Sequence, residues 1–470
     1  MILSTIILMY KSLLFLICLF GLFSCNNKVG KKANGTYIAG VIENPRGNNV
    51  VLYHNDIVID TLTLDDNNRF SYRNDSLIEG LYTFRHREYQ RFYLNKNDSI
   101  LIHVNTIDFD ESLRYSGIGA EKNNLLMKIF LDNEKVQERL PNWFTLSPKN
   151  YQKKLDSVNN AHSKLCAKFS TTTYHSSTAF NQIVKANLTY DMFLWKELYI
   201  SANLMRGNAD IQEQVPVSFL NHRKEIDFGN DLMRSHYSYY RFMDNYYNNV
   251  AFNKYKNVDS FNRKNFTHAS SKMLEIKNLT HNEALRNKLL RRSALDYLLH
   301  TTDVKKATQL FNQFKSFSSN QANINEIRNI LDRTIKIIPG NIIPDVQLVN
   351  LDNETKTLHA VLEKPTVIYF WTYESAVHYK EVHDKANNLK IKYPAYDFIA
   401  INADDNFRKW RRISNTISTD NKTEYQLDNL QSAKSVLILD IPEKTIIVDQ
   451  NGKIKNASAA ITDLSFEDVL

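Results

Sequence analysis

The chain has 470 residues, more than one hydrophobic core usually serves, because single cores stop growing near 250 to 300 residues, and three units are expected. Its 43% apolar and 23% charged residues are those of a folded, water-soluble protein and exclude a wholly disordered chain. The net charge of +8 and pI near 9.0 do not amount to a nucleic-acid site. That would need a basic stripe interleaved with stacking aromatics on one face, whereas Arg291-Arg292 and Lys409 to Arg412 lie in helix-like segments rich in acids and Asn.

At the N-terminus a short positive start, Met9-Tyr10-Lys11, precedes an apolar run from Ser12 to Phe23. About 20 residues are needed to span a bilayer as a helix, so this reads as a targeting segment rather than a transmembrane one. The run ends in "LFSC", Leu22 to Cys25, followed by "NNKVGKK". A small residue before a cysteine at the end of an apolar stretch resembles the lipobox of bacterial lipoproteins, although Phe23 is bulkier than that pattern usually carries. The resemblance implies that residues 1–25 are a signal peptide and that Cys25 is acylated. An ordinary secretory signal with a chance cysteine is the alternative. Acyl chains would hold the protein to a membrane at about 0.8 kcal/mol per buried methylene, with residues 26–35 as a flexible tether. The location this implies is the cell envelope, at the outer membrane of a Gram-negative bacterium, facing the periplasm.

Residues 36–110 alternate in short β-rich runs: "YIAGVI", "NVVLYH", "IVIDTLTL", "RFSYR", "GLYTFRH", "QRFYL" and "SILIHV". Turn residues separate them, which predicts a small antiparallel sandwich or barrel, with "TLDDNNRFSYR" as a hairpin. Gly40, the Asp66-x-Asn68-x-Phe70 pattern and Gly80-Leu81-Tyr82 resemble the small N-terminal β domain of unknown function that precedes thioredoxin-like domains in envelope lipoproteins.

Residues 111–338 change texture. Segments such as "KNNLLMKIFLDNEKVQERL" and "ALRNKLLRRSALDYLLHTT" carry apolar side chains at three- and four-residue steps, predicting an all-helical region. The aromatic cluster Ser235 to Tyr255 reads as a helix packing its aromatic face against neighbours, in preference to a ligand platform. Cys166, the third cysteine after Cys18 and Cys25, shares helical spacing with Leu165 and Phe169, so it reads as a small buried hydrophobe.

Residues 339–470 read as a strand (Val346 to Leu351), a buried strand (Thr366 to Phe370), a helix ("SAVHYKEVHDKANNLKIKYP"), a strand ("YDFIAINAD"), a helix ("FRKWRRISNTIS") and a hairpin through Asn451-Gly452. With "IIPDVQL", "KPTVIYFW" and "IIVDQNGKI", this order resembles the thioredoxin fold, and specifically thiol-disulfide oxidoreductases of the TlpA and ResA type. The chain is thus expected to be multidomain α+β: a small antiparallel β domain, a helical region and a thioredoxin-like α/β domain.

That resemblance places a Cys-x-x-Cys pair after the aromatic-Trp step. Aligned on Phe370-Trp371, the two positions fall on Ser375 and His378, and neither is a thiol. The family's chemistry needs a thiolate to attack a disulfide and a second thiol to resolve it. The proline that faces the motif in the family would be Pro442, one residue further from Asp449 than its usual spacing. Ser375 as a helix N-cap needs no nucleophilic role, because no G-x-S-x-G elbow is present. His378 and His383, five apart, do not share a helix face as metal ligands would. No metal and no cofactor is expected. The reading that follows is a redox-inactive binding or scaffold protein, most simply not an enzyme. Its surface of Trp371, Thr372, Tyr373, Glu374 and Pro442 would hold an extended peptide or an envelope protein. A thiol-disulfide oxidoreductase of altered type, working through Cys166 or a partner's thiol, is the other reading; against it, one free cysteine cannot cycle.

Overall fold

A computed structural model describes residues 35–54, 57–86, 88–172, 177–229, 237–373, 376–417, 421–439, 444–463 and 466–470. The acylation candidate Cys25, the targeting segment and nearly all of the tether lie outside them. The chain forms two compact units, residues up to Arg139 with Val158–Lys185, and Leu140–Ser157 with Ala186–Leu470, so the helical stretch 111–338 is divided between the two. Among the described residues, no helix is long and apolar enough to cross a membrane.

In the first unit the strands are β1 (Thr36–Glu43), β2 (Asn49–His54), β3 (Ile57–Thr63), β4 (Arg69–Asn74), β5 (Gly80–His86), β6 (Glu88–Leu94), β7 (Ser99–Asn105) and β8 (Arg114–Ile118). Among the described residues they form two four-stranded sheets, ordered β4-β1-β7-β8 and β3-β2-β5-β6. Their inward residues, among them Ile38, Ile42, Val50, Leu52, Phe84, Phe92, Ile100 and Ile102, make one core, as the alternating pattern requires. Three expectations need correcting. β1 and β7 run parallel, so the sandwich is not purely antiparallel. β3 and β4 are not a hairpin: β3 pairs with β2 and β4 with β1, and the turn between them carries the chain from one sheet to the other. In that turn the Asp65 carboxylate accepts from the amides of Asn67 and Arg69, and Asn68 sits at φ 58°. Finally, β8 pairs with β7 beyond residue 110; "RYSGI", with its serine and glycine, hides a strand. Gly40 has a packing reason, since a Cβ there would lie 2.6 Å from the Ile102 carbonyl and 2.7 Å from the Phe70 ring.

Helices α1 (Phe109–Ser112), α2 (Ala120–Trp143), α3 (Pro148–Thr172), α4 (Thr178–Met205) and α5 (Ile211–Gln214) follow, then α6 (Tyr237–Tyr255), α7 (Phe266–Leu279), α8 (Glu283–Leu298), α9 (Val304–Phe317) and α10 (Gln321–Thr334). The last four start on side-chain caps, Asn265, Asn282, Asp303 and Asn320, each accepting a first-turn amide that would otherwise lack a partner. The aromatic face of α6 is core: Tyr239, Phe242, Met243, Tyr246, Tyr247, Phe252 and Tyr255 are buried, and Tyr239 meets Tyr190 edge-on at 4.7 Å. Beneath them lies a charged knot. Glu197 of α4 is fully buried, takes two hydrogen bonds from the Arg223 guanidinium at 2.7 Å and one from Asn249 at 2.7 Å, and lies 2.8 Å from Nε2 of His222.

Among the described residues, the C-terminal sheet has seven strands in the order β10-β9-β13-β12-β11-β14-β15. They are β9 (Gln347–Asn350), β10 (Thr355–Thr357), β11 (Thr366–Trp371), β12 (Asp397–Asn402), β13 (Glu424–Leu427), β14 (Thr445–Val448) and β15 (Ile454–Ala459), with helices α11 (Ala376–Lys392), α12 (Phe407–Ile417) and α13 (Leu430–Leu437). β11, β12 and β13 run parallel, while β9 and β14 pair antiparallel at either side. One face packs on α11 and α12 through Val367, Tyr369, Trp371, Val382, Ala386, Leu389 and Trp410. The other packs on α13 through Ile368, Phe370, Ile401, Leu427, Ala433 and Leu437. Burial on both faces explains why β11 reads as an unbroken apolar run. The arrangement is thioredoxin-like α/β, and with the sandwich and the helices it makes the chain multidomain α+β. Strand β13 and helix α13 were not anticipated, because "EYQL" carries Glu424 and Gln426 inside a buried strand. In the β14–β15 turn, Gly452 has φ 74° while Asp449 accepts from the amides of Asn451 and Lys453. The left-handed residue is therefore the glycine alone, not an Asn-Gly pair.

Candidate functional site

β11 ends at Trp371 and α11 begins at Ala376, so the segment that would carry a redox motif is the short connection between them. Glu374, Ser375 and Pro442 lie outside the described residues. Trp371 does not belong to an exposed surface: it is 1% accessible, and its indole lies 5.6 Å from the Tyr379 ring and 5.2 Å from that of His383. As the last residue of a strand covered on both faces, it points into the core under α11. Thr372 and Tyr373 are half-buried and follow the carboxyl end of β11. His378 is half-buried, on the first turn of α11.

Tyr373 is anchored from behind. Its amide donates to the Asp404 carboxylate at 2.7 Å, its hydroxyl lies 3.5 Å from Asp405, and the Lys409 ammonium sits 3.7 Å above its ring. Asp404 is held in turn by the Asn402 side-chain amide at 2.9 Å, and Gln426 donates to Asn402 and to the Asp404 carbonyl. A polar net at the carboxyl ends of β12 and β13 therefore fixes the backbone at the tip. Ligands enter open α/β sheets at this edge.

Beneath α11 lies a second buried group. Nε2 of His383 is 2.6 Å from Glu424, and its Nδ1 is 2.6 Å from the Tyr379 carbonyl. Ser414 donates to the other Glu424 oxygen at 3.3 Å. Burial raises the Glu424 pKa above the ordinary carboxylate value, and the bonds from His383 and Ser414 and the nearby Trp410 indole only partly offset it. Burial, with Glu424 alongside, lifts the Tyr369 phenol far above its usual range. Ser414 bonds to the carboxylate and not to an imidazole, so the trio lacks the order in which a base activates a serine. It ties α11 and α12 to β13. The chain places a further buried charge at Lys444, whose ammonium donates to the carbonyls of Leu437 and Ile438 at the end of α13, where the helix dipole favours a cation.

His383 was visible in the sequence only as a failed metal partner of His378. Glu424, Ser414, Asp404, Asp405 and Lys409 gave no signal of their own, because what unites them is strand order and not spacing. Among the described residues, no group of three or more His, Cys, Asp or Glu side chains is placed to hold a metal ion. Cys166 sits half-buried on α3 as a free cysteine, and burial raises its thiol pKa.

No family model matches the chain, and no curated protein matches it. Solved structures do. The thioredoxin domain of a thiol-disulfide oxidoreductase from Bacteroides vulgatus is 15% identical over 28% of this chain and 98% of its own, with a TM-score of 0.24. A thiol:disulfide interchange protein from Bacteroides sp. is 20% identical over 29% of this chain and 90% of its own, with a TM-score of 0.24. A thioredoxin-like protein from Bacteroides caccae is 10% identical over 52% of this chain and 88% of its own, with a TM-score of 0.35. The strand order given above, and not these distant likenesses, is the ground for the fold.

Proposed function

We propose that the protein is an envelope lipoprotein, anchored through Cys25, whose C-terminal domain is a redox-inactive thioredoxin-like module that holds an extended peptide or a segment of an envelope protein. The observation that carries this reading is a tip that keeps its scaffold without its thiols: β11 still ends in Phe370-Trp371 and α11 still follows, yet Thr372 to Ala376 and His378 include no cysteine. Tyr373, fixed from behind by Asp404 and Lys409, supplies a rigid, half-open aromatic edge of the kind that contributes to recognition. The oxidoreductase alternative finds little support in Cys166, because burial pushes its thiol away from the thiolate that exchange requires.

The reading is tested by titrating the full chain, in mild detergent, with a denatured S-carboxymethylated polypeptide, which offers extended chain and no thiol. We expect saturable binding that Tyr373→Ala abolishes without changing the circular dichroism spectrum. Equal binding by the variant, or none by the wild type, would overturn it.

A further inference from the structure

The polar net behind Tyr373 opens on its far side into a cleft of about 380 Å³, within the range of small-ligand sites. It lies where the loop after β12, the β9–β10 turn and the start of α13 converge. Its apolar lining is Val349, Phe407, Leu427 and Leu430, and its charged lining is Asp404, Asp405 and Asp428. Among the described residues that line it there is no lysine or arginine, in a chain whose net charge is +8. Asp404 is already committed to the Tyr373 amide and the Asn402 side chain. The exposed carboxylates of Asp405 and Asp428 remain for a ligand. The first turn of α13 opposes them with about half a positive charge and the Lys409 ammonium sits above the neighbouring Tyr373 ring, but among the described residues every charged side chain of the lining itself is a carboxylate.

We propose that this cleft receives an arginine or lysine side chain of the extended polypeptide held at Tyr373. The inference rests on the binding reading above and names the partner's chemistry: a basic segment. The methylene stem of such a side chain packs on Phe407, Leu427 and Leu430 while its head meets Asp405 and Asp428, the division of labour that long cationic side chains adopt at half-open sites. The Tyr373 hydroxyl lies 3.5 Å from Asp405, so a peptide lying across the tyrosine edge has the cleft directly beside it. Charge complementarity selects the occupant, since an acidic side chain would meet the same carboxylates as a repulsion.

Three nonapeptides of Gly and Ser carrying a central Arg, Glu or Leu, titrated into the full chain, test this. We expect the Arg peptide to bind about tenfold tighter than the Glu peptide, as two half-exposed charge contacts allow. Added salt should narrow the gap. The double variant Asp405→Asn, Asp428→Asn should bring the Arg and Glu peptides to equal affinity. Equal binding of the Arg and Glu peptides, or a preference that survives the double variant, overturns the cleft assignment while the Tyr373 reading stands. If the wild type binds none of the three, the reading fails. Millimolar arginine amide then decides the cleft alone: shifts of the Leu427 and Leu430 amide resonances that vanish in the double variant support it, and their absence sinks it.

Discussion

Two buried glutamates, one in the helical region and one in the C-terminal sheet, have opposite surroundings. Glu197 is enclosed by a bidentate Arg223, His222 and Asn249, and although burial alone would raise its pKa, Arg223 and His222 hold it down at about 2. Glu424 has His383, Ser414 and the Trp410 indole nearby and, among the described residues, no arginine bonded to it; there burial prevails and its pKa rises. Buried carboxylates stay charged only when their hydrogen-bonding capacity is filled by cationic donors. The helical region is therefore closed around a completed ionic knot. The thioredoxin-like domain keeps a carboxyl of raised pKa beneath the helix that leads away from its tip.

The largest expected effect comes from breaking the knot. Arg223→Met should leave the buried Glu197 carboxyl without its bidentate cation and cost about 3–5 kcal/mol, read as faster amide exchange in α4 and α6 while β11 and β12 keep their protection.

Acid should sharpen the contrast. The fall of Glu197 from 4.5 to about 2 corresponds to roughly 3 kcal/mol of stability. Because the folded value is depressed, that contribution is present above about pH 4.5 and is lost as pH falls toward 2. For Glu424 the sign reverses. Its folded value is raised, so the folded state holds the proton longer, and stability declines as pH climbs from 4.5 through the folded value. Glu424→Gln should remove that decline in denaturant titrations across pH and cost no more than about 1 kcal/mol at the acid end, where the native carboxyl is protonated. A variant as pH-sensitive as the wild type would show that Glu424 is not the titrating group.

The smallest effect concerns the tip. Lys409→Ala removes the cation above the Tyr373 ring and should lower stability by less than about 1 kcal/mol, while loosening peptide binding more than a distant surface change such as Lys385→Ala does.

Periodicity made much of the architecture legible. The strands β1 to β7, the helix-rich middle, α11 and α12 follow from runs at period 2 or 3.6, and β11 and β12 from short, unbroken apolar runs. What escaped did so for local reasons. β8 contains serine and glycine; β13 carries Glu424 and Gln426 in a buried strand; the parallel β1–β7 pairing joins segments some sixty residues apart in sequence, which no local pattern encodes. At the tip, the absence of cysteine from "FWTYESAVH" is legible in its letters. Trp371 reads as surface in the sequence because it ends a strand, and it is buried because α11 covers it. Asp404, Asp405 and Glu424 were silent because strands separated by α12 deliver them.

The most direct test of a scaffold that grips without exchanging electrons is insulin-disulfide reduction with dithiothreitol as electron donor, comparing the full chain with its Cys166→Ser variant. We expect both to match dithiothreitol alone. Turnover above that background, lost when Cys166 is replaced, would contradict the proposed function.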